Sequence, residues 1–192
     1  MKKVITSFTF FIICACIQAQ DLAWSINFQK GSDRNSLEPV QISQVIRMQT
    51  GEFIKFTIQP ESNAYCYIIL YDSGQKISIL FNELVTRQGM DFGPAEIEEP
   101  SGTETIYVIL SLERQANLER LIQEFERNPD SGQTGNNLRR EVVSLQNSVS
   151  RLGEPASSYI QSGGTTRGAS TQQYVTRFSG KNIYVRAIAI RH

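Results

Sequence analysis

The side chains best suited to chemistry are four carboxylates within nine positions of one another: Asp91, Glu96, Glu98 and Glu99. Clustered carboxylate oxygens can hold Ca²⁺, or split the roles of acid and nucleophile in glycoside hydrolysis. In extended backbone neighbouring side chains point to opposite faces, so Glu96 and Glu98 share one face and Glu99 takes the other. The same pattern has a more ordinary use, because charges along an edge strand discourage further strands from adding to it.

The remaining inventory excludes the common catalytic classes. The single histidine, His192, is the last residue, where a chain frays, so neither a Ser-His-Asp nor a Cys-His arrangement is expected. A zinc site draws three or four ligands from Cys and His, more than this chain offers after export processing. No GxxxxGK[ST] or GxGxxG motif occurs, and "GGTTRG" at 163–168 lacks the lysine and the preceding strand of a phosphate loop. No cofactor is expected. Cys66 sits in an apolar run and reads as a small buried hydrophobe. Tyr65 and Tyr67 are of a type that lines carbohydrate or peptide grooves, yet their place in a strand assigns them to the core.

The amino terminus has the form of an export signal over residues 1–19. Lys2 and Lys3 precede "VITSFTFFIICACIQA", and no acidic residue occurs before Asp21. The apolar run falls short of the roughly 20 residues of a permanent membrane span. Two cuts are compatible with it. One follows Ala19; the other treats "ICAC" as a loose lipobox with Cys16 as the lipid-bearing residue, although Cys14 stands where a small residue is usual. Only the second attaches the protein to a membrane.

Of the 19 basic residues, 17 remain without Lys2 and Lys3, against 19 acidic, a net charge of −2. Such a balance advertises no nucleic-acid surface. After a cut at Ala19 only Cys66 is left, so the core must hold without a disulfide.

These residues need elements to position them. Trp24, Ile26 and Phe28 alternate with Ser25, Asn27 and Gln29, the period of a half-buried strand, and "KGSDRNS" interrupts it as a loop. "VQISQVIRM" pairs weakly, and "EFIKFTIQP" is a strand stopped by Pro60. "AYCYIILY" is apolar on both faces, so it belongs inside a sheet, packed on the core on one side and under a helix or loop on the other. "DSGQ" turns it back into "KISILF", with Asp72 bonding the backbone and Gly74 taking positive φ. A short edge strand is expected near 95–98 and a strong strand at "TETIYVILSL".

Leu118, Leu121, Ile122 and Phe125 then follow helical spacing, and "NPDSGQTGNN" separates this helix from a second one carrying Leu138, Val142, Leu145, Val149 and Leu152. "EPASSYIQSGGTTRGASTQQ" reads as an exposed loop, and "NIYVRAIAI" as a docked final strand. The expected fold is mainly β (α+β): an antiparallel β-sandwich of about seven or eight strands with a two-helix insertion before the last strand. Residues 21–192 form one domain, with the helical insertion at 114–153, a flexible loop at 154–180 and the final strand at 182–190.

"YCYIILYDSGQKISILFNE", "RQGMDFG" and "EPSGTETIYVILSLE" together resemble, in order and spacing, the DUF4384 domain of bacterial envelope proteins. The resemblance spans about residues 45–115. It rests on the turn Tyr71-Asp72-Ser73-Gly74, on Leu80-Phe81-Asn82, on Pro100-Ser101-Gly102-Thr103-Glu104, and on Ser111 at the strand end. The chain lacks the proline that the family carries between the Phe81 and Asn82 equivalents. The resemblance implies an exported accessory domain and supplies no catalytic residue. The expected function is therefore a non-enzymatic interaction domain of the periplasm or cell envelope, with another envelope protein or a cell-wall component as partner. The alternative is a carboxylate-based hydrolase of envelope glycans using the acidic cluster.

Overall fold

The computed structural model describes residues 22–42, 45–150, 156–162 and 172–192. The export signal, Cys16, the "GGTTRG" segment and Leu152 lie outside the described residues. The alternation beginning at Trp24 produces β1 (Leu22–Asp33), and the chain continues with β2 (Ser36–Val40), β3 (Ile46–Arg47), β4 (Phe53–Pro60), β5 (Ala64–Tyr71) and β6 (Ile77–Val85). β7 (Met90–Glu96), β8 (Thr103–Ser111), α1 (Ala116–Arg127), α2 (Gly132–Ser150), β9 (Ala156–Ser162), β10 (Gln172–Gly180) and β11 (Ile183–Arg191) complete it.

These strands form two sheets. The first runs β7-β4-β1-β10-β9, with β2 also paired to β1; the second runs β3-β11-β8-β5-β6. All pairings are antiparallel except β11 with β3. The inward residues Trp24, Ile26 and Phe28 of β1 meet Cys66 and Ile68 of β5 and Val108 and Leu110 of β8 in one core between the sheets. Phe28 stacks on Phe56 with ring centroids 5.4 Å apart, and Trp24 lies 4.7 Å from Phe178. The fold is thus a β-sandwich.

β5 has the two covered faces that its sequence requires. Ala64, Cys66 and Ile68 enter the sandwich core, while Tyr67, Ile69 and Tyr71 join a second core beneath the helices. Its partner β6 changes sides partway. Ile68 pairs with Phe81 and Ile69 with Ile79, so Leu80 is an extra residue that reverses the alternation. Consequently Ile77 and Ile79 face the helices, whereas Phe81 and Val85 face the sandwich core.

The helices are a third layer on the second sheet. Leu118, Leu121, Ile122 and Phe125 of α1 and Leu138, Val142 and Val149 of α2 are buried against Tyr67, Ile109 and Val185. Full burial of each aliphatic side chain contributes about 1.5–3 kcal/mol, which is how two helices are held on one sheet face.

Several local expectations are corrected. Residues 154–180 contain β9 and β10, so the helices precede three strands, not one. Composition misleads there because Ser, Thr and Gln are tolerated in a strand whose backbone is paired on both sides. β10 has β1 and β9 as neighbours, and its Thr176 and Phe178 are buried. "KGSDRNS" is mostly strand: β1 continues to Asp33, and Asn35 N–H donates to Asp33 Oδ1 at 2.8 Å in a tight turn into β2. Gly31 permits this, since a Cβ there would stand 2.5 Å from the Ser36 carbonyl oxygen. The break at "NPDSGQTGNN" is shorter than expected because α2 starts at Gly132, where the Ser131 hydroxyl accepts from Thr134 N–H at 3.4 Å.

The turn before β6 also differs. Asp72 and Lys76 close a three-residue loop, with Asp72 N–H donating to the Lys76 carbonyl at 3.0 Å. The left-handed residue is the last of the three, Gln75 (φ 66°), not Gly74. At the carboxyl end His192 is not frayed: it exchanges backbone hydrogen bonds with Gly102 at 2.9 and 3.0 Å, and its imidazole is buried 3.4 Å from Glu104.

Candidate functional site

The acidic residues do lie at a sheet edge. β7 ends the first sheet, paired only with β4 among the described residues. The pairing is irregular: Ile54 faces Ala95 and Phe56 faces Phe92, so two residues of β7, Gly93 and Pro94, oppose the single Lys55. Gly93 has φ 89°, and a Cβ on it would sit 2.5 Å from the Ile54 carbonyl oxygen. Only glycine meets both conditions, the left-handed backbone and the close approach.

Each carboxylate has a separate local role. Asp91 lies on β7 opposite Thr57, whose hydroxyl donates to Oδ1 at 2.6 Å, while Lys55 Nζ lies 2.8 Å from Oδ2. The hydrogen bond from Lys55, followed by that from Thr57, holds the Asp91 carboxyl below its ordinary pKa. Glu96 closes β7. Ile97 then turns into the core, with its N–H donating to the Glu52 carbonyl at 2.9 Å, and leaves Glu96 and Glu98 exposed on either side of it.

Glu99 folds back on its own loop. It accepts from Thr50 Oγ1 at 3.0 Å and from Ser101 N–H at 2.8 Å, and these bonds lower its pKa, the Thr50 bond most. Among the described residues no three His, Cys, Asp or Glu side chains converge where they would hold a metal ion. The sequence cluster is therefore a row of carboxylates along an edge and the loop beyond it, two of them tied to neighbours.

A polar network that sequence reasoning missed lies where α1 meets the second sheet. The Tyr67 hydroxyl donates to Glu119 Oε1 at 2.8 Å and accepts from Gln115 N–H at 3.1 Å. Arg114 Nε donates to the same Glu119 oxygen at 3.1 Å, and its guanidinium lies 5.5 Å from the Tyr65 ring centre. Gln115 Nε2 reaches Ser111 Oγ at 2.8 Å. Burial raises the pKa of the Tyr67 hydroxyl, so it stays a donor, and the network supplies the start of α1 with the cap that the Gln115 side chain does not. Its members are separated by up to 52 positions, which no local pattern reveals.

Cys66 is fully buried, and burial pushes its thiol up to about 12, far from thiolate chemistry at neutral pH. Tyr65 and Tyr67 are used for packing, as their strand position implied. Above the Ile77 end of β6 lies a cleft of about 360 Å³, bordered by Lys76, Asp130, Gly132 and Arg139. Arg139 is already engaged there, 5.4 Å from the Tyr71 ring centre. Among the described residues no helix is long and apolar enough to cross a membrane. Comparison of the chain with protein-family models, with curated proteins and with solved structures found no match.

Proposed function

We propose that this chain is an exported, non-enzymatic interaction domain of the bacterial cell envelope, of the kind the DUF4384 resemblance implies. The basic start and apolar run of residues 1–19 support export. The binding role is what the resemblance implies, and the surroundings of Asp91 and Glu99 weigh against using either as the acid of a hydrolase. A glycoside hydrolase needs one carboxylic acid whose pKa is raised so that it can protonate a leaving group. Here Asp91 and Glu99 are shifted the opposite way, Asp91 by Lys55 and Thr57 of β4 and Glu99 by Thr50 and Ser101.

Immobilised full-length protein tests this reading against envelope extracts and purified peptidoglycan. Saturable, repeatable retention of one protein or cell-wall component is the expected result. Turnover of peptidoglycan fragments that disappears in Glu96→Gln or Glu98→Gln, with folding intact, would replace it with the hydrolase. Mass spectrometry of the exported protein separates a start at Gln20 from a lipid-bearing Cys16.

A further inference from the structure

We propose that β6 is a docking edge for a second copy of this chain, pairing antiparallel with its own counterpart so that Lys76 of each copy faces Glu83 of the other. The inference goes beyond the envelope role and does not depend on it. β6 ends the second sheet and, among the described residues, pairs only with β5. It is nine residues long, contains no proline, and its one charged residue is Glu83. Ile79, Leu80 and Phe81 are partly exposed, and Leu84 is 49% exposed. A long, apolar strand with a free row of backbone donors and acceptors is a template for another strand.

The sequence of that edge is self-complementary. A two-fold axis at Ile79, which sets Ile79 opposite its own copy and leaves Leu80 as the extra residue of each bulge, places Ser78 opposite Phe81, Ile77 opposite Asn82 and Lys76 opposite Glu83. The bulge makes these pairs geometrically consistent. Ile77 and Ile79 face the helices, so Lys76 and Ser78 take the sandwich face; beyond Leu80 the alternation reverses, and Phe81, Glu83 and Val85 take that same face. Lys76 and Glu83 are therefore on one side of the sheet, as a cross-strand ion pair requires. Both are exposed, and neither has an ion-pair partner among the described residues. The symmetric arrangement makes the pair twice.

Sedimentation velocity of the purified full chain over rising concentration, with a charge-swap set, tests the proposal. The wild type is expected to pass from monomer to dimer. Glu83→Lys and Lys76→Glu alone each set like charges opposite one another at two places, and each weakens association about tenfold or more. Glu83→Lys combined with Lys76→Glu restores association to within about threefold of wild type. Unchanged melting temperatures of the monomeric variants confirm that the exposed substitutions leave the fold intact. A wild type that stays monomeric throughout overturns the proposal and leaves the edge to a strand from another protein. Dimers indifferent to the single reversals, or a double variant without rescue, overturn it equally.

Discussion

β6 and β7 are consecutive strands that end different sheets, and they are built in opposite ways. β7 carries Pro94, an extra residue opposite β4, left-handed Gly93, and Asp91 paired with Lys55. Each of these hinders another strand from adding to it. β6 shares only the extra residue, Leu80, which turns Phe81 and Val85 into its own core; it has no proline, no left-handed residue and, among the described residues, no ion pair within it, and Leu84 is left exposed. The contrast teaches that the acidic residues, the first candidates for chemistry, are better understood as protection of one edge, and that the edge left unprotected is the one to examine for partners.

Breaking the guarded edge should have the largest effect. Gly93→Ala puts a Cβ 2.5 Å from the Ile54 carbonyl oxygen at φ 89°. A loss of about 3 kcal/mol in stability is expected from the combined strain and clash, measured by urea denaturation. The corresponding change at the start of β6 goes the other way. Gln75 holds φ 66° as a non-glycine residue, so Gln75→Gly should stabilise by about 0.5–1 kcal/mol. Equal signs for the two substitutions would mean that the left-handed positions do not shape the two edges as described.

The smallest effect belongs to the ion pair. Asp91→Asn should cost about 0.5 kcal/mol near neutral pH, because the pair with Lys55 is largely solvent-exposed. The Asp91 pKa is lower in the folded state than in the unfolded chain, so its contribution is present above the unfolded value. It should therefore vanish as pH falls from about 4 through the folded pKa. Denaturation of wild type and variant at a series of pH values checks this: the curves should converge in acid and run parallel above about pH 5.

Much of the architecture was legible because burial sets period. Trp24, Ile26 and Phe28 announced a half-buried strand, and the doubly apolar β5 announced its place between core and helices. Leu118, Leu121, Ile122 and Phe125 fixed the buried face of α1. What escaped was held by backbone pairing and by contacts distant in sequence. β9 and β10 are poor in apolar residues, and their identity as strands depends on a ladder that starts at β1. The Leu80 bulge moves Phe81 and Val85 to the opposite face from Ile77, which no alternation count anticipates.

The candidate site was legible in kind and misjudged in arrangement. The residues between 91 and 99 do mark an edge, as their charge suggested, and Glu96 and Glu98 do flank a buried Ile97. Sequence spacing did not show that Lys55, Thr57 and Thr50, from a different part of the chain, claim Asp91 and Glu99. The Tyr67–Glu119 contact under α1 was invisible for the same reason.

Hydrogen exchange of the β6 and β7 backbone amides at low and high protein concentration tests the central contrast most directly. The β6 amides are expected to exchange more slowly as concentration rises, while those of β7 exchange at one rate throughout. Slowing confined to β7, or no concentration dependence in either strand, would contradict that contrast.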